Sequence, residues 1–453
     1  MRLFAVTLVV MLTAGAATVP AALAIAPPQV DRLLVPADGP PSPEQAMRQS
    51  NMCATAIATG APDVMQPAAG FAMLNVKDAW RYSTGKGVSV AVIDTGVTPS
   101  PRLPALPGGD YITGGDGLSD CDAHGTLVAS VIAAKPSNHD GVSGVAPDAT
   151  VISIRQSSRA FEPSGPDWGD FEARKKAGTL NTLARAIVHA ANLGARVINV
   201  SVTACVSAAE PLDQQAIGAA VWYAATEKDA VIVAAAGNAG EEGCAQNPPL
   251  DPLNPNDPRD WSHVKTISSP SWFSDYVLSV GAVGPTGTPI DKSLAGPWLG
   301  VAAPGTGVTA LSPQNSVAVN AHPPARPGEP AIPLWGTSFS AAYVSGVAAL
   351  VRARFPSLSA HQIVNRILRT AHSPARGVDN QVGHGVIDPV AALTFDIPPG
   401  EVVAPGVRTR LLAPPAAPPQ ADHRARNAAV VLAVAAGAIA ILTPLMSAAR
   451  RAR

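Results

Sequence analysis

Charge is scarce in this 453-residue sequence: Asp, Glu, Lys and Arg make up 14% of it, and the formal net charge is −1. No clustered basic stripe is present, which removes the electrostatic footprint of a nucleic-acid binder. The four cysteines, Cys53, Cys121, Cys205 and Cys244, form no Cys-x-x-Cys and stand at no zinc-type spacing to histidine. Disulfides are therefore expected, and a metal is not. No paired-carboxylate site with sequence support marks a cell-wall hydrolase.

The two ends are the apolar parts. Arg2 precedes an almost wholly apolar run, Leu3–Ala17, and Ala22-Leu23-Ala24 offers a small-x-small cleavage site. This pattern predicts a secretory signal with a mature chain starting near Ile25; Pro20 and the shortness of the run argue against a membrane span. No charge falls among the 23 residues between Arg426 and Arg450. As a helix they would cover about 35 Å, enough for a hydrocarbon core of about 30 Å. Arg450, Arg451 and Arg453 follow at once and predict a cytoplasmic C-terminus, with the bulk of the chain outside. Seven prolines in Ile397–Ala421 read as an extended spacer.

Between these ends, strand-like and helix-like segments alternate. Strands are expected at Val88–Asp94, Thr150–Arg155, Val197–Val202, Ala230–Gly237, Val277–Val283 and Val301–Ala303. Helices are expected at His124–Ala134, Leu180–Leu193, Asp213–Lys228, Ser338–Phe355 and Ser359–Thr370. The alternation predicts an α/β fold, a mainly parallel sheet with helices on both faces and reactive groups at the strands' carboxyl ends. Cys205 and Cys244 each follow a strand at that edge, which favours their pairing out of the three pairings possible and leaves Cys53 with Cys121.

Three segments then stand out in order: Val-Ile-Asp-Thr-Gly at 92–96, His-Gly-Thr at 124–126 and Gly-Thr-Ser-Phe-Ser-Ala-Ala at 336–342. Asp94 ends an apolar strand, where a carboxylate can hold a histidine in one tautomer. His124 opens a helix, and Ser338 begins another, where oriented N–H groups favour developing negative charge. Asn238 ends a strand and can donate to an oxyanion beside the Ser338 N–H. The order Asp, His, Ser is that of subtilisin, and Gly336–Ser340 is no Gly-x-Ser-x-Gly elbow. His139, His263 and His322 fall in loops and read as solvated.

With these motifs the sequence resembles the subtilase family over roughly residues 75–395. The leader, the cysteine-bearing extension, Asp120-Cys121-Asp122-Ala123-His124-Gly125-Thr126, the Pro-rich tether and the terminal span narrow the resemblance to mycosins, membrane-anchored subtilases of type VII secretion systems. The resemblance implies catalytic Asp94, His124 and Ser338, an oxyanion donor in Asn238, and a substrate-facing edge formed by Ser201, Val202, Thr203 and Gly237. It also implies a periplasmic location at the cell membrane, secreted protein substrates and membrane partners in a secretion complex. No cofactor is expected. The chain then divides into a signal peptide (1–24), an N-terminal extension (25–73), a catalytic domain (74–396), a linker (397–424), a transmembrane helix (425–449) and a tail (450–453). Many subtilases bind calcium through an Asp just after the Asp-x-Gly turn; Arg102 stands there instead, with Asn138 at a second ligand position, so an empty site is expected. Thr203 replaces a glycine and would narrow the primary pocket. Phe339 and Ala342 replace a methionine and a proline without touching the chemistry. The extension, too short for a typical inhibitory prodomain, reads as a belt around the core.

Overall fold

Seven short strands pair side by side at the centre of the molecule: β1 (Ser89–Asp94), β2 (Ala105–Asp110), β3 (Thr150–Arg155), β4 (Val197–Val200), β5 (Val231–Ala235), β6 (Val277–Val283) and β7 (Leu299–Pro304). This computed structural model describes residues 25–405, apart from 28, 165–177, 210–212, 242, 249, 251–252 and 255, together with 427–429, 431–433 and 435–437. All six pairings are parallel, in the order β7-β6-β5-β4-β1-β3-β2. The order turns back on itself around β1, so the crevice beyond its carboxyl end is where such a sheet places a site. Asp94 is the last residue of β1.

Alternation along the strands feeds two cores. On β1, Val90 and Val92 join one cluster, and Ala91 and Ile93 the other. The first is covered by α1 (His124–Ala133) and α4 (Thr337–Arg354), the second by α2 (Leu180–Asn192) and α3 (Gln215–Trp222). Burial on both faces explains why these strands read as continuous apolar runs. Small residues bring α4 close to its neighbours: a Cβ on Gly346 would lie 2.5 Å from Val145 Cβ.

Several boundaries differ from expectation for identifiable reasons. The edge strand β2 carries no strand signal, because Pro107, Gly108 and Gly109 interrupt it; its register with β3 breaks between Pro107 and Asp110, and an edge tolerates the missing proline N–H. The helix expected to Lys228 ends as an α-helix at Trp222 and continues as a wider π-type turn, Tyr223–Glu227. The long connectors carry short strands of their own: Phe161–Pro163, Thr266–Ser269, and Ala321–His322 paired with Ile332–Pro333. Two further helices follow, α5 (Ala360–Thr370), opened by a Ser359/Gln362 capping box, and α6 (Pro389–Thr394).

The N-terminal extension lies along the core. The Arg32 guanidinium stacks 4.9 Å over the Trp222 ring, Asp38 accepts from His189 and Asn192 of α2, and Glu44 accepts from Thr179 at the start of α2. Met47–Gln49 pairs antiparallel with Phe161–Pro163, and Ile57 bridges Ala321.

Contact-based division gives two units, Met1–Pro405 and Gly406–Arg453. The first includes 397–404, residues read from sequence as spacer: Asn365, Gln362 and Ser359 of the α5 region donate to the carbonyls of Pro399, Gly400 and Val402. In the second, 427–429, 431–433 and 435–437 are helical. Among the described residues no helix is long and apolar enough to cross a membrane. The signal at 1–24 and most of the span at 425–449 lie outside the described residues.

Candidate active site

Three elements converge beyond the carboxyl end of β1. Asp94 is 1% exposed, and its Oδ1 accepts from His124 Nδ1 and from the Thr95 N–H, both at 2.7 Å. Its Oδ2 is buried with no hydrogen-bond partner among the described residues. His124 is the first residue of α1, entered through Ala123 in a left-handed conformation (φ 64°). The approach of helix to strand depends on Gly125, where a Cβ would sit 2.0 Å from the Gly96 carbonyl oxygen. Burial alone would depress the His124 pKa, but the Asp94 charge, the Asp94 hydrogen bond and the charge of Asp120 outweigh it, and the ring lies above its ordinary 6.5.

Asp120, quoted above only as part of the motif that carries the family resemblance, lies beside the Asp94–His124 pair. Its Oδ2 accepts the Thr126 N–H (2.8 Å) and Thr126 hydroxyl (2.7 Å), and its Oδ1 accepts the Thr95 hydroxyl (2.9 Å) and the Asp122 N–H (3.1 Å). It therefore links the turn after Asp94 to the helix carrying His124. Burial pushes its carboxyl up to about 6, with Asp94 adding to the rise and the threonine hydrogen bonds opposing it. The available signal was an acidic residue four positions ahead of the candidate histidine.

Ser338 lies in the first turn of α4, behind Gly336 (φ 141°), where backbone N–H groups lack intrahelical partners. Its hydroxyl donates to the Ser201 carbonyl oxygen at 3.2 Å, and the Ser201 hydroxyl donates to the Ser338 carbonyl at 3.3 Å. Among the described residues no hydrogen bond joins Ser338 Oγ to His124, and the hydroxyl rests on Ser201 instead. Phe339 packs beside the imidazole with ring centroids 5.8 Å apart. Asn238, just past β5, is fixed by its oxygen, which accepts the Thr337 N–H and hydroxyl at 3.1 Å each. Its Nδ2 donates to Glu241 Oε1 at 3.2 Å.

Ser201, Val202 and Thr203 continue past β4, with Ser201 buried and the other two half-buried. Gly237 ends the neighbouring segment at φ 102°; a Cβ there would lie 3.5 Å from Cys205 Sγ. The pairs Cys53–Cys121 and Cys205–Cys244 are both formed, one three residues ahead of His124 and the other flanking Gly237. Arg102 spends its guanidinium on Asp140 (2.6 and 3.1 Å) and the Val142 carbonyl (2.7 Å). His322, read as a solvated loop residue, instead lies in a short strand, half-buried against the Thr55 carbonyl; burial lowers its pKa and His124 lowers it further.

A carboxylate–imidazole pair, a hydroxyl at a helix N-terminus and a fixed amide, in this chain order on a parallel sheet, define a subtilisin-type serine peptidase. The profile of the subtilase family (Peptidase S8) matches residues 85–385. Mycosin-2 of Mycobacterium tuberculosis is 53% identical, over 97% of this chain and 96% of that protein. The crystal structure of MycP1 from Mycobacterium smegmatis superposes with a TM-score of 0.80 at 49% identity, covering 85% of this chain and all (100%) of that one. A chain in the periplasmic assembly of the ESX-5 inner membrane complex gives 0.78 at 52% identity, over 87% of this chain and 100% of that one. The chain belongs to the subtilase family, in its mycosin branch, and is a serine endopeptidase.

Proposed function

We propose that Ser338 is the nucleophile of a membrane-anchored endopeptidase that trims a limited set of secreted proteins as part of a type VII secretion complex. The observation that carries the chemistry is the 2.7 Å contact of His124 Nδ1 with buried Asp94, which leaves Nε2 as the base. Ser338 Oγ, turned from Ser201 to His124, attacks the scissile carbonyl as Nε2 takes its proton. The tetrahedral oxyanion forms between the Ser338 N–H and Asn238 Nδ2. The imidazolium, stabilised by Asp94, protonates the leaving amine, and water releases the acyl group by the reverse sequence. Ser201–Thr203 and Gly237 line the acyl side of the cleft, with Thr203 limiting the size of the side chain bound there. A fluorophosphonate probe should label Ser338 in the full-length chain; equal labelling of Ser338→Ala would overturn the assignment.

The anchoring reading rests on the sequence: a leader at 1–24, a tether ending at 424, a span at 425–449 and an arginine tail. Assembly with membrane partners rests on likeness to a chain of the ESX-5 inner membrane complex. Protease added to spheroplasts should digest the domain and leave a small anchored stub, whereas protection of the whole domain would reverse the topology.

A further inference from the structure

Both reactive ends of the site are engaged elsewhere. The Ser338 hydroxyl is on the Ser201 carbonyl, and the Asn238 amide hydrogen faces the Glu241 carboxylate at 3.2 Å. A tight turn delivers Glu241 there: its N–H donates to the Asn238 carbonyl, and its own carbonyl accepts the Cys244 N–H. Cys244 is tied to Cys205. From the histidine side of the cleft, Arg159 reaches Glu241 Oε2 at 3.9 Å. The Arg159 N–H is itself fixed on Asp122, two residues ahead of His124. Glu241 thus lies between the proposed oxyanion amide and the largely exposed Arg159 guanidinium. Thr337 pins the Asn238 oxygen, so the amide cannot swing away from its acidic neighbour without losing two hydrogen bonds.

We infer that Glu241 is a positioning residue that restrains the reaction through Asn238: its carboxylate must leave the amide before the tetrahedral oxyanion forms. An amide has two hydrogens, but a carboxylate on either one sets negative charge against the oxyanion that Asn238 has to stabilise. Substrate contacts along Ser201–Thr203 would supply the displacement, so weakly bound peptides are cut slowly. The inference rests on the roles given above to Ser338 and Asn238.

The test is the rate of Ser338 phosphonylation by a fluorophosphonate, whose phosphoryl oxygen occupies the oxyanion position, in the full-length chain with both disulfides formed. The Glu241 side chain lies at the surface and its turn is closed by backbone bonds, so Glu241→Ala preserves the fold. Removing an exposed charged contact of this kind should speed labelling by about two- to fivefold, with Glu241→Gln between the two. A merely structural residue would slow it. In an Asn238→Ala background, Glu241→Ala should change nothing. Slower or unchanged labelling of Glu241→Ala overturns the inference, and so does an equal gain in the Asn238→Ala background, which would mean a charge effect that bypasses the amide. Native-rate labelling of Asn238→Ala alone would instead remove the oxyanion assignment on which the inference stands.

Discussion

Ser201 and Ser338 exchange hydrogen bonds: the Ser338 hydroxyl donates to the Ser201 carbonyl at 3.2 Å, and the Ser201 hydroxyl donates to the Ser338 carbonyl at 3.3 Å. In the mechanism proposed above, the nucleophile is therefore tied to the edge that would receive the substrate backbone. An extended substrate pairing with that edge brings a backbone N–H to the Ser201 carbonyl. It would then compete with Ser338 for one acceptor, and substrate binding would itself free the hydroxyl for His124.

A peptide methylated on the amide nitrogen of the residue that supplies the scissile carbonyl cannot make that bond. Its kcat/KM should fall about tenfold or more below the unmethylated peptide, since one hydrogen bond is worth about 1 kcal/mol and the serine also stays engaged. Steady-state hydrolysis of the matched pair measures this; equal rates would mean that Ser201 is not the docking acceptor.

With His124 as the proposed base, activity should need its neutral form, because only the neutral ring accepts the serine proton. Its pKa lies above 6.5, with the Asp94 and Asp120 charges overcoming burial. Activity is therefore present at higher pH and is lost as pH falls through that raised value. Asp120→Asn removes one of the two supporting charges, so the acid limb of kcat/KM should move to lower pH. The limb belongs to the interacting pair, since Asp120 itself is pushed up to about 6 and coupled groups titrate with shared apparent values. An unmoved or raised limb in Asp120→Asn would remove Asp120 from the electrostatics of the site.

Legibility from sequence followed periodicity and motif. Thr150–Arg155 and Val277–Val283 form strands with the bounds read from their apolar runs, because strands buried on both faces have little other sequence signature. Asp94 and His124 meet as their motifs imply. Ala105–Asp110 went unread because an edge strand tolerates the proline and glycines that signal a turn. Glu241 could not be read at all, since its meaning depends on Arg159, far away in the chain, and on a turn closed by Cys244. Residues 397–404 looked like spacer by composition, yet their carbonyls are taken up by Ser359, Gln362 and Asn365, donors whose reach no local pattern reveals.

Arg102 should matter to stability in place of a cation. Its guanidinium satisfies the Asp140 carboxylate with two bonds and holds the Lys135 and Val142 carbonyls. Arg102→Ala strands that carboxylate at a partly buried position and should cost about 1–3 kcal/mol, read as a lower melting temperature. Chelator should leave the native melting temperature unchanged. A large drop on chelation would show that a cation is bound there after all.

The last expectation concerns which property of the chain export depends on. The extension lies on the core from Arg32 to Ile57 and is stapled at Cys53–Cys121, adding contact surface without occupying Ser338. The Ser338 hydroxyl rests on Ser201 and the Asn238 amide on Glu241, which suits infrequent cleavage better than bulk digestion. A tether and membrane span would hold the domain at one surface and raise its effective concentration toward membrane partners. Such a molecule contributes to a complex whether or not it turns over. Ser338→Ala should therefore abolish trimming of exported proteins while leaving their export largely intact, and deletion of the whole chain should block export. Comparing the two strains by secreted-protein analysis decides it: if the point variant blocks export as completely as the deletion, proteolysis is the essential contribution and the contact surface is secondary.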